Sequence, residues 1–442
     1  MVKCIVNIKK GDVKLKKFTE VLINYFQKLK VALPEDLFIK NIQMDSKKVE
    51  KGSLFIAINN GNNYIEEAFE RGAEIVVADR AQTSNNPRII EVRDSVKFLQ
   101  DIAKVYRESL NIKVVAITGS EGKTTTKDLV FGVVSSKYRA KKTLGNYNNQ
   151  IGLPFSILQL QEEDEVAVLE MGMSSLGEID ILSQIAQPDY AIITNIGDSH
   201  LEFLKNRDNV FKAKTEVLKY VDKSRVLVYG DDPYLKNLEA IKVGFKMGND
   251  YVVTDEIEKY EGVYFKLNGE EYFTPLNGLY NVINSSFAIV LGKLLNIPHS
   301  DIKKSLNHIK ITSMRFEKIE KDGILFINDA YNASPVSMEM ALKAFSSLPL
   351  ERKKIVVLGD ALELGEKEIE YHRDILIESL KHNFDKIFIY GERMKKASEI
   401  INDSRITYFT EKSAIKDGLN KMENIAVLLK GSRGMKLEEI IM

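Results

Sequence analysis

Cysteine is nearly absent from the 442 residues: Cys4 stands alone, which excludes an internal disulfide or a cysteine-built zinc cage and fits a reducing compartment. Net charge is absent too. The 63 basic and 63 acidic residues cancel, which argues against a broad nucleic-acid or anionic-membrane surface and leaves only local patches. Long apolar runs are missing. The opening MVKCIVNIKKGD holds only Cys4-Ile5-Val6 unbroken, too short for a signal-peptide core, and no run approaches the ~20 apolar residues of a spanning helix. Repeats and low-complexity tracts are not visible either. The expectation is a cytoplasmic protein with no membrane span and no nucleic-acid partner. What is present, 44% hydrophobic residues, suits a globular chain of about three domains at ~150 residues each.

The strongest local signal runs from Val114 to Thr126 and reads VVAITGSEGKTTT. A β-branched apolar run enters Gly119-Ser120-Glu121-Gly122-Lys123-Thr124-Thr125, and Lys127 to Phe131 continues as a helix. Strand, glycine turn and helix N-terminus together make an anion site, with converging N–H groups, helix-dipole potential and glycines that let the backbone approach an oxygen. Lys123 would reach the β/γ-phosphates and the Thr124 hydroxyl would ligate magnesium. The G-x-x-x-x-G-K-[ST] pattern is incomplete, because Ile117 occupies its first glycine position. An ordinary strand-turn-helix with a surface lysine is the plainer alternative. The flanking elements favour a nucleotide site.

Periodicity organises the rest as α/β in three domains. Residues 1–94 form a small α/β domain: helical Phe18 to Leu29, strand-like Leu54 to Ile58, a polar loop at Asn59 to Asn63, helical Ile65 to Arg71 and strand-like Glu74 to Ala78, with a turn-rich Gln82 to Pro87. Residues 95–312 form a central P-loop domain. Its helix Val96 to Leu110 leads into the P-loop strand. Strands Val166 to Leu169, Tyr190 to Thr194 and Val226 to Tyr229 follow, separated by helical stretches, so a parallel doubly wound sheet is expected. A hairpin through Asn268-Gly269 is appended near Tyr251 to Pro275. Residues 313–442 alternate strand and helix again, with strands at Ile324 to Ile327, Lys354 to Leu358, Lys386 to Ile389, Thr407 to Phe409 and Ile425 to Leu429. That pattern is Rossmann-like, but no G-x-G-x-x-G follows the first strand, so dinucleotide binding is not expected.

Several polar residues fall at the expected carboxyl ends of strands, where ligands of such sheets sit. Glu170 closes Val166 to Leu169 and could hold a nucleotide's magnesium; a solvated strand-end glutamate is the bland alternative. His200, after the Tyr190 strand, shares that edge with Lys123 and Glu170, although a lone histidine is more often structural. Lys214 would ordinarily be a surface lysine. Asn281 and Asn284 lie three apart on one helix face and could present amides to a base or phosphate, or serve as buried caps. Arg315 suits charge stabilisation on a transferring phosphoryl group, and Asp329 suits a ribose hydroxyl or a metal-bound water. Each is weak alone. Their value is in combination.

Together these segments resemble the Mur ligase family, ATP-dependent enzymes that join amino acids or peptides to a carboxylate. The resemblance spans nearly the whole chain and includes TGSEGKTT, whose missing first glycine is usual there. It rests further on Thr143-Leu-Gly145-Asn146-Tyr-Asn148-Asn149-Gln-Ile-Gly152-Leu-Pro154, on Glu170-Met-Gly-Met, on Asp329-Ala-Tyr-Asn332-Ala-Ser-Pro335, on Leu358-Gly-Asp360-Ala-Leu-Glu-Leu-Gly365 and on Lys430-Gly-Ser-Arg433. It implies an enzyme of peptidoglycan precursor synthesis that adds D-alanyl-D-alanine to UDP-N-acetylmuramoyl-tripeptide, acting as a monomer. It also implies roles. Gly119 to Thr125 with Lys123 would hold ATP phosphates, Thr124 and Glu170 a first Mg2+ ion, and His200 would help hold a second. Lys214 matches a lysine that can be carbamylated, which would turn a cation into a carboxylate-like group able to orient metal ligands. Asn281 and Asn284 fall at the adenine side, with Arg315 and Asp329 reaching the γ-phosphate and ribose. Residues 1–94 would bind the UDP-sugar through Asp45-Ser46-Lys47, where lysine replaces the family's arginine, with Ser46 as the substrate contact. Thr143, Asn146, Asn149, Asn332 and Asp360 are the remaining substrate candidates.

The chemistry this implies follows from charge. A carboxylate is a poor acyl donor, so phosphoryl transfer would precede attack by the dipeptide amine. Family members that add the third amino acid, and polyglutamate-type synthetases, are disfavoured by the N-Y-N-N-Q-I-G-L-P stretch. A P-loop kinase or a nucleotide-dependent binding protein would hydrolyse or transfer phosphate without forming an amide.

Overall fold

The computed structural model describes residues 16–34, 37–80, 86–198, 201–362 and 364–442. In chain order its regular elements begin with α1 (Lys16–Lys28), β1 (Asn41–Gln43), β2 (Ser53–Ala57), α2 (Ile65–Glu70), β3 (Ala73–Ala78), β4 (Ile89–Glu91), α3 (Ser95–Ser109) and β5 (Lys113–Thr118). Next come α4 (Lys123–Val134), β6 (Ala140–Lys142), α5 (Gly152–Leu158), β7 (Val166–Glu170), α6 (Glu178–Ala186), β8 (Tyr190–Ile193), α7 (Leu201–Leu204) and α8 (Arg207–Lys214). Then follow β9 (Val226–Tyr229), β10 (Ile241–Gly244), β11 (Tyr251–Lys259), β12 (Gly262–Leu267), β13 (Glu270–Thr274), α9 (Leu279–Leu294) and α10 (His299–Asn307). The last part holds β14 (Glu317–Lys321), β15 (Ile324–Asn328), α11 (Pro335–Ser347), β16 (Lys353–Gly359), α12 (Glu368–Leu380), β17 (Lys386–Tyr390), α13 (Glu392–Ser398), β18 (Ile406–Phe409), α14 (Lys412–Asn420) and β19 (Ile425–Lys430).

Packing divides these into two units. The first takes residues up to Ala116, Tyr138–Met171 and Glu178–Asp189. Within it β1 to β4 form a parallel sheet in chain order, and β6 pairs parallel with β7. α1 and α3 meet through aromatics, Phe18 edge-on to Tyr106 and Phe26 stacked on Phe98. Asp94 caps α3 by accepting the Val96 and Lys97 N–H groups, which is why that helix starts at Ser95. Asn59 to Asn63, expected as an aperiodic loop, is instead the 3-10 turn Asn59–Tyr64, tied by the Asn62 side chain to the Asn59 carbonyl and to Asp79. Of the turn-rich Gln82 to Pro87, residues 82–85 lie outside the described residues.

The second unit takes Ile117–Lys137, Gly172–Gly177 and the chain from Tyr190 on. There β8, β9 and β10 pair in parallel, and β10 pairs parallel with β11. β11, β12 and β13 are antiparallel. The hairpin turn is at Asn268-Gly269, both at positive φ, as the two-residue turn demands. The strand β11 before it carries mostly exposed or half-exposed side chains, so periodicity did not reveal it.

The six strands from β14 onward lie in the order β14-β15-β19-β16-β17-β18, parallel except for the β14–β15 pair. Alternation builds two cores on this one sheet. Leu325, Ile327, Val356, Leu358, Ala426 and Leu428 face α11 and α12 residues such as Leu342, Phe345 and Leu376. Their neighbours Ile324, Phe326, Ile355, Val357, Val427 and Leu429 pack with Ile415 and Leu419 of α14. A strand with both faces buried has no polar side to offer, hence the continuous apolar runs ILFI and IAVLL.

Candidate active site

β5 hands the chain to the loop Gly119–Gly122, and α4 begins at Lys123. Both glycines are required. At Gly119 (φ +142°) a Cβ would stand 1.9 Å from Thr194 Oγ1, and at Gly122 (φ +80°) 2.8 Å from Asn284 Oδ1. The loop is held from the β8 end. The Glu121 N–H donates to Asn195 Oδ1 at 2.9 Å, and the Glu121 carbonyl accepts from Thr194 Oγ1 and Asn195 Nδ2. Ser120 Oγ accepts the Gly197 N–H at 2.8 Å. Lys123 folds back on its own loop, donating to the carbonyls of Gly119 and Ser120 at 2.7 and 2.8 Å. Its ammonium therefore lies against the loop that leads into the N-terminus of α4, an arrangement that suits a polyphosphate.

α9 packs along α4 and presents a ladder of amides. Thr126 Oγ1 donates to Asn284 Oδ1 (3.1 Å), Asn284 Nδ2 to Asn281 Oδ1 (3.2 Å) and Asn281 Nδ2 to the Asn277 carbonyl (2.8 Å). Asn281 and Asn284 thus serve as a buried brace for the loop, and both line a small cavity that Thr125, Arg315, Asp329 and Lys430 also reach. A larger cavity of about 520 Å³ adjoins it, running from Glu121 and Gly122 past Tyr229, Phe245 and Tyr280 to Met340. That volume is within the ~300–1,000 Å³ of small-molecule sites, and its mixture of aromatic and polar lining suits a nucleoside.

From the other side, Arg315 Nη2 donates to Thr124 Oγ1 at 3.1 Å, and the guanidinium lies 4.3 Å from the Tyr331 ring centroid. Its Nε is buried and has no hydrogen-bond partner among the described residues, which leaves one donor for an incoming oxygen. Asp329 accepts the Phe316 N–H (3.1 Å) and pairs with Lys430 at 2.7 Å. Lys430, buried at the end of β19, also donates to the Asn332 carbonyl. Lys214 ends α8 with 1% exposure. Burial holds its amine far below the ordinary lysine range, the Lys123 charge adds to that, and Glu121 opposes it.

Most of the other expected residues have partners of their own. Glu170, at the end of β7 in the first unit, is buried; its N–H donates to Thr143 Oγ1 (3.0 Å) and its Oε1 accepts from Asn148 Nδ2 (2.8 Å). Asn149 Oδ1 accepts the Ile151 and Gly152 N–H groups in the turn that leads into α5, while Asn146 is exposed. Ser46 donates to Glu67 at 2.8 Å. Asp360 is buried and its carboxylate accepts the Arg393 and Met394 N–H groups at the start of α13, so its oxygens are already engaged. Asn332 is exposed. His200 is outside the described residues. Sequence reasoning did not single out Asn148, Lys430 or Ser334, although all three lie inside the quoted motifs.

Two family models match the chain, the Mur ligase middle domain over residues 117–292 and the Mur ligase glutamate ligase domain over 314–433. A UDP-N-acetylmuramoyl-tripeptide–D-alanyl-D-alanine ligase of Bacillus subtilis is 40% identical over 92% of this chain and 93% of its own length. The chain belongs to the Mur ligase family. Among solved structures, MurF of Acinetobacter baumannii superposes with a TM-score of 0.86 at 27% identity, covering 97% of this chain and 98% of its own. MurF ligase of Thermotoga maritima, solved in complex with ADP, gives 0.82 at 28% identity over 92% and 97%. The α/β architecture with its parallel sheets is that of this ligase family. Among the described residues no helix is long and apolar enough to cross a membrane.

Proposed function

We propose that this ligase couples D-alanyl-D-alanine to the terminal carboxylate of UDP-N-acetylmuramoyl-tripeptide at the expense of ATP, in cytoplasmic peptidoglycan precursor synthesis. The observation that carries it is the full-length similarity to the Bacillus subtilis ligase of that name, at 40% identity. Residues 1–94 would bind the UDP-sugar, 95–312 ATP, and 313–442 would close over it; the two family models, over 117–292 and 314–433, support the boundary between the last two.

Lys123 and the loop amides would hold the phosphates, Arg315 would meet the γ-phosphoryl group through its free Nε, and Asp329 would receive a ribose hydroxyl. The donor set for Mg2+ fits by its chemistry. Thr124 offers a hydroxyl at the N-terminus of α4, and Glu170 a buried carboxylate, both hard oxygen donors. When bound, magnesium would offset phosphate charge. His200 is kept as a candidate for a second ion. Burial shifts Lys214 toward the neutral amine, the form that adds carbon dioxide, which supports carbamylation there.

Transfer of the γ-phosphoryl group to the carboxylate would give an acyl phosphate and ADP. The dipeptide amine would then attack the acyl carbon, expel phosphate and give up its proton to leave an amide. Lys123 and Arg315 would stabilise the charge on the first step. Phosphate release measured with all three substrates and then with each omitted tests the reading, with mass spectrometry of the product. Sustained turnover that needs both acceptor and dipeptide is expected. ATP consumption indifferent to the dipeptide, with no pentapeptide product, would overturn it.

A further inference from the structure

The loop residue Glu121 has its backbone fully engaged by Thr194 and Asn195. That clamp aims its side chain at the start of α11, where Ser334 Oγ donates to Glu121 Oε1 at 2.6 Å. Ser334 is also the N-cap of α11, accepting the Ser337 N–H at 3.1 Å, and it is buried. A hydroxyl has one proton to give, and the carboxylate at 2.6 Å is a shorter, charge-assisted acceptor than Ser337 Oγ at 3.1 Å. The 13-residue α11 also turns its positive end toward Glu121, so the charge is favoured where it lies. The segment leading into α11 carries Asp329 and Tyr331, the residues that seat Phe316 and Arg315. Anything that fixes Ser334 on the phosphate loop therefore also fixes Arg315 against Thr124.

We propose that Glu121 is a positioning residue, which latches Ser334 at the head of α11 onto the phosphate loop and so keeps Arg315 on the reacting phosphoryl group. This rests on the ligase reading above, so the test has two readouts. One is kcat for amide formation; the other is compaction of the full chain by MgADP in small-angle scattering, which needs no ligation. E121A and S334D should each lower kcat by about tenfold, the loss of one charge-assisted bond, and each should weaken compaction. S334D is informative because aspartate is as good an N-cap as serine, so α11 stays capped while two carboxylates face each other. In the pair E121Q/S334D the introduced amide donates to the introduced carboxylate. Both readouts should then recover to within about threefold, a recovery that a cap-only role for Ser334 would not produce. Normal compaction and kcat in E121A, or no recovery in the pair, would overturn the latch, as would absence of compaction in the unsubstituted chain. If that chain compacts but forms no amide, the ligase reading fails while compaction in the variants still decides the latch.

Discussion

His372 sets a pH limit on the fold that can be worked out from two hydrogen bonds. The ring lies on α12 with 1% exposure. Its Nδ1–H donates to the Glu368 carbonyl at 2.5 Å, and its Nε2 accepts the Ala361 N–H at 2.9 Å. The Nε2 contact requires neutral imidazole, since protonating Nε2 would set two N–H groups against each other, whereas the Nδ1–H can donate in either form. Burial accordingly lowers its pKa, with Arg393 pushing the same way and the Glu368 carbonyl and Asp360 resisting. The folded chain then binds fewer protons here than the unfolded chain below about pH 6.5. Stability from this group is intact above that pH and is lost as pH falls toward the folded value, by at most about 1.4 kcal/mol per pH unit. His372→Gln keeps an acceptor for Ala361 and cannot titrate. Urea unfolding by far-ultraviolet circular dichroism, run at about pH 7.5, 6.5 and 5.5, should find the substituted chain less stable at the top of the range. The gap should close by roughly 1 kcal/mol at the bottom. Parallel pH profiles for the two proteins would refute the reasoning.

Three further outcomes are expected. Lys123→Ala should abolish ADP release, by roughly 100-fold or more, in a coupled assay; retained turnover would remove that lysine from the mechanism. Lys430→Met leaves the Asp329 carboxylate, 13% exposed, without its cation and should cost about 1–3 kcal/mol in urea unfolding, with part regained when Asp329→Asn is added. Lys214→Met in carbon dioxide-free buffer should relieve a buried amine that the unfolded chain holds protonated up to about pH 10.4. Its stability advantage over the unsubstituted chain should therefore be larger near pH 8 than near pH 10, while ligation falls.

What could be read from the sequence, and what could not, follows from the range over which each interaction acts. The buried strands of the last sheet were visible because both faces are covered, so ILFI and IAVLL are apolar without interruption. β1, β4 and β6, three residues each, carry too few buried side chains to show a period. The phosphate loop was legible because its glycines, lysine and threonine act within one turn of chain. Partners at distance were not. Asn148 meets Glu170 22 residues on, and Glu121 meets Ser334 213 residues on; nothing local marks either pair. Asp360 shows the converse. As a carboxylate after an apolar strand it reads like a ligand group, yet the fold gives both its oxygens to the first N–H groups of α13. A motif therefore names the residue types a site can draw on, while the assignment of each oxygen to substrate or to backbone depends on which N–H groups the fold leaves without a carbonyl. At the head of α11 that competition has a definite winner: Ser334 satisfies the helix, and Glu121, relieved of any capping duty, is left to bind the hydroxyl that does it.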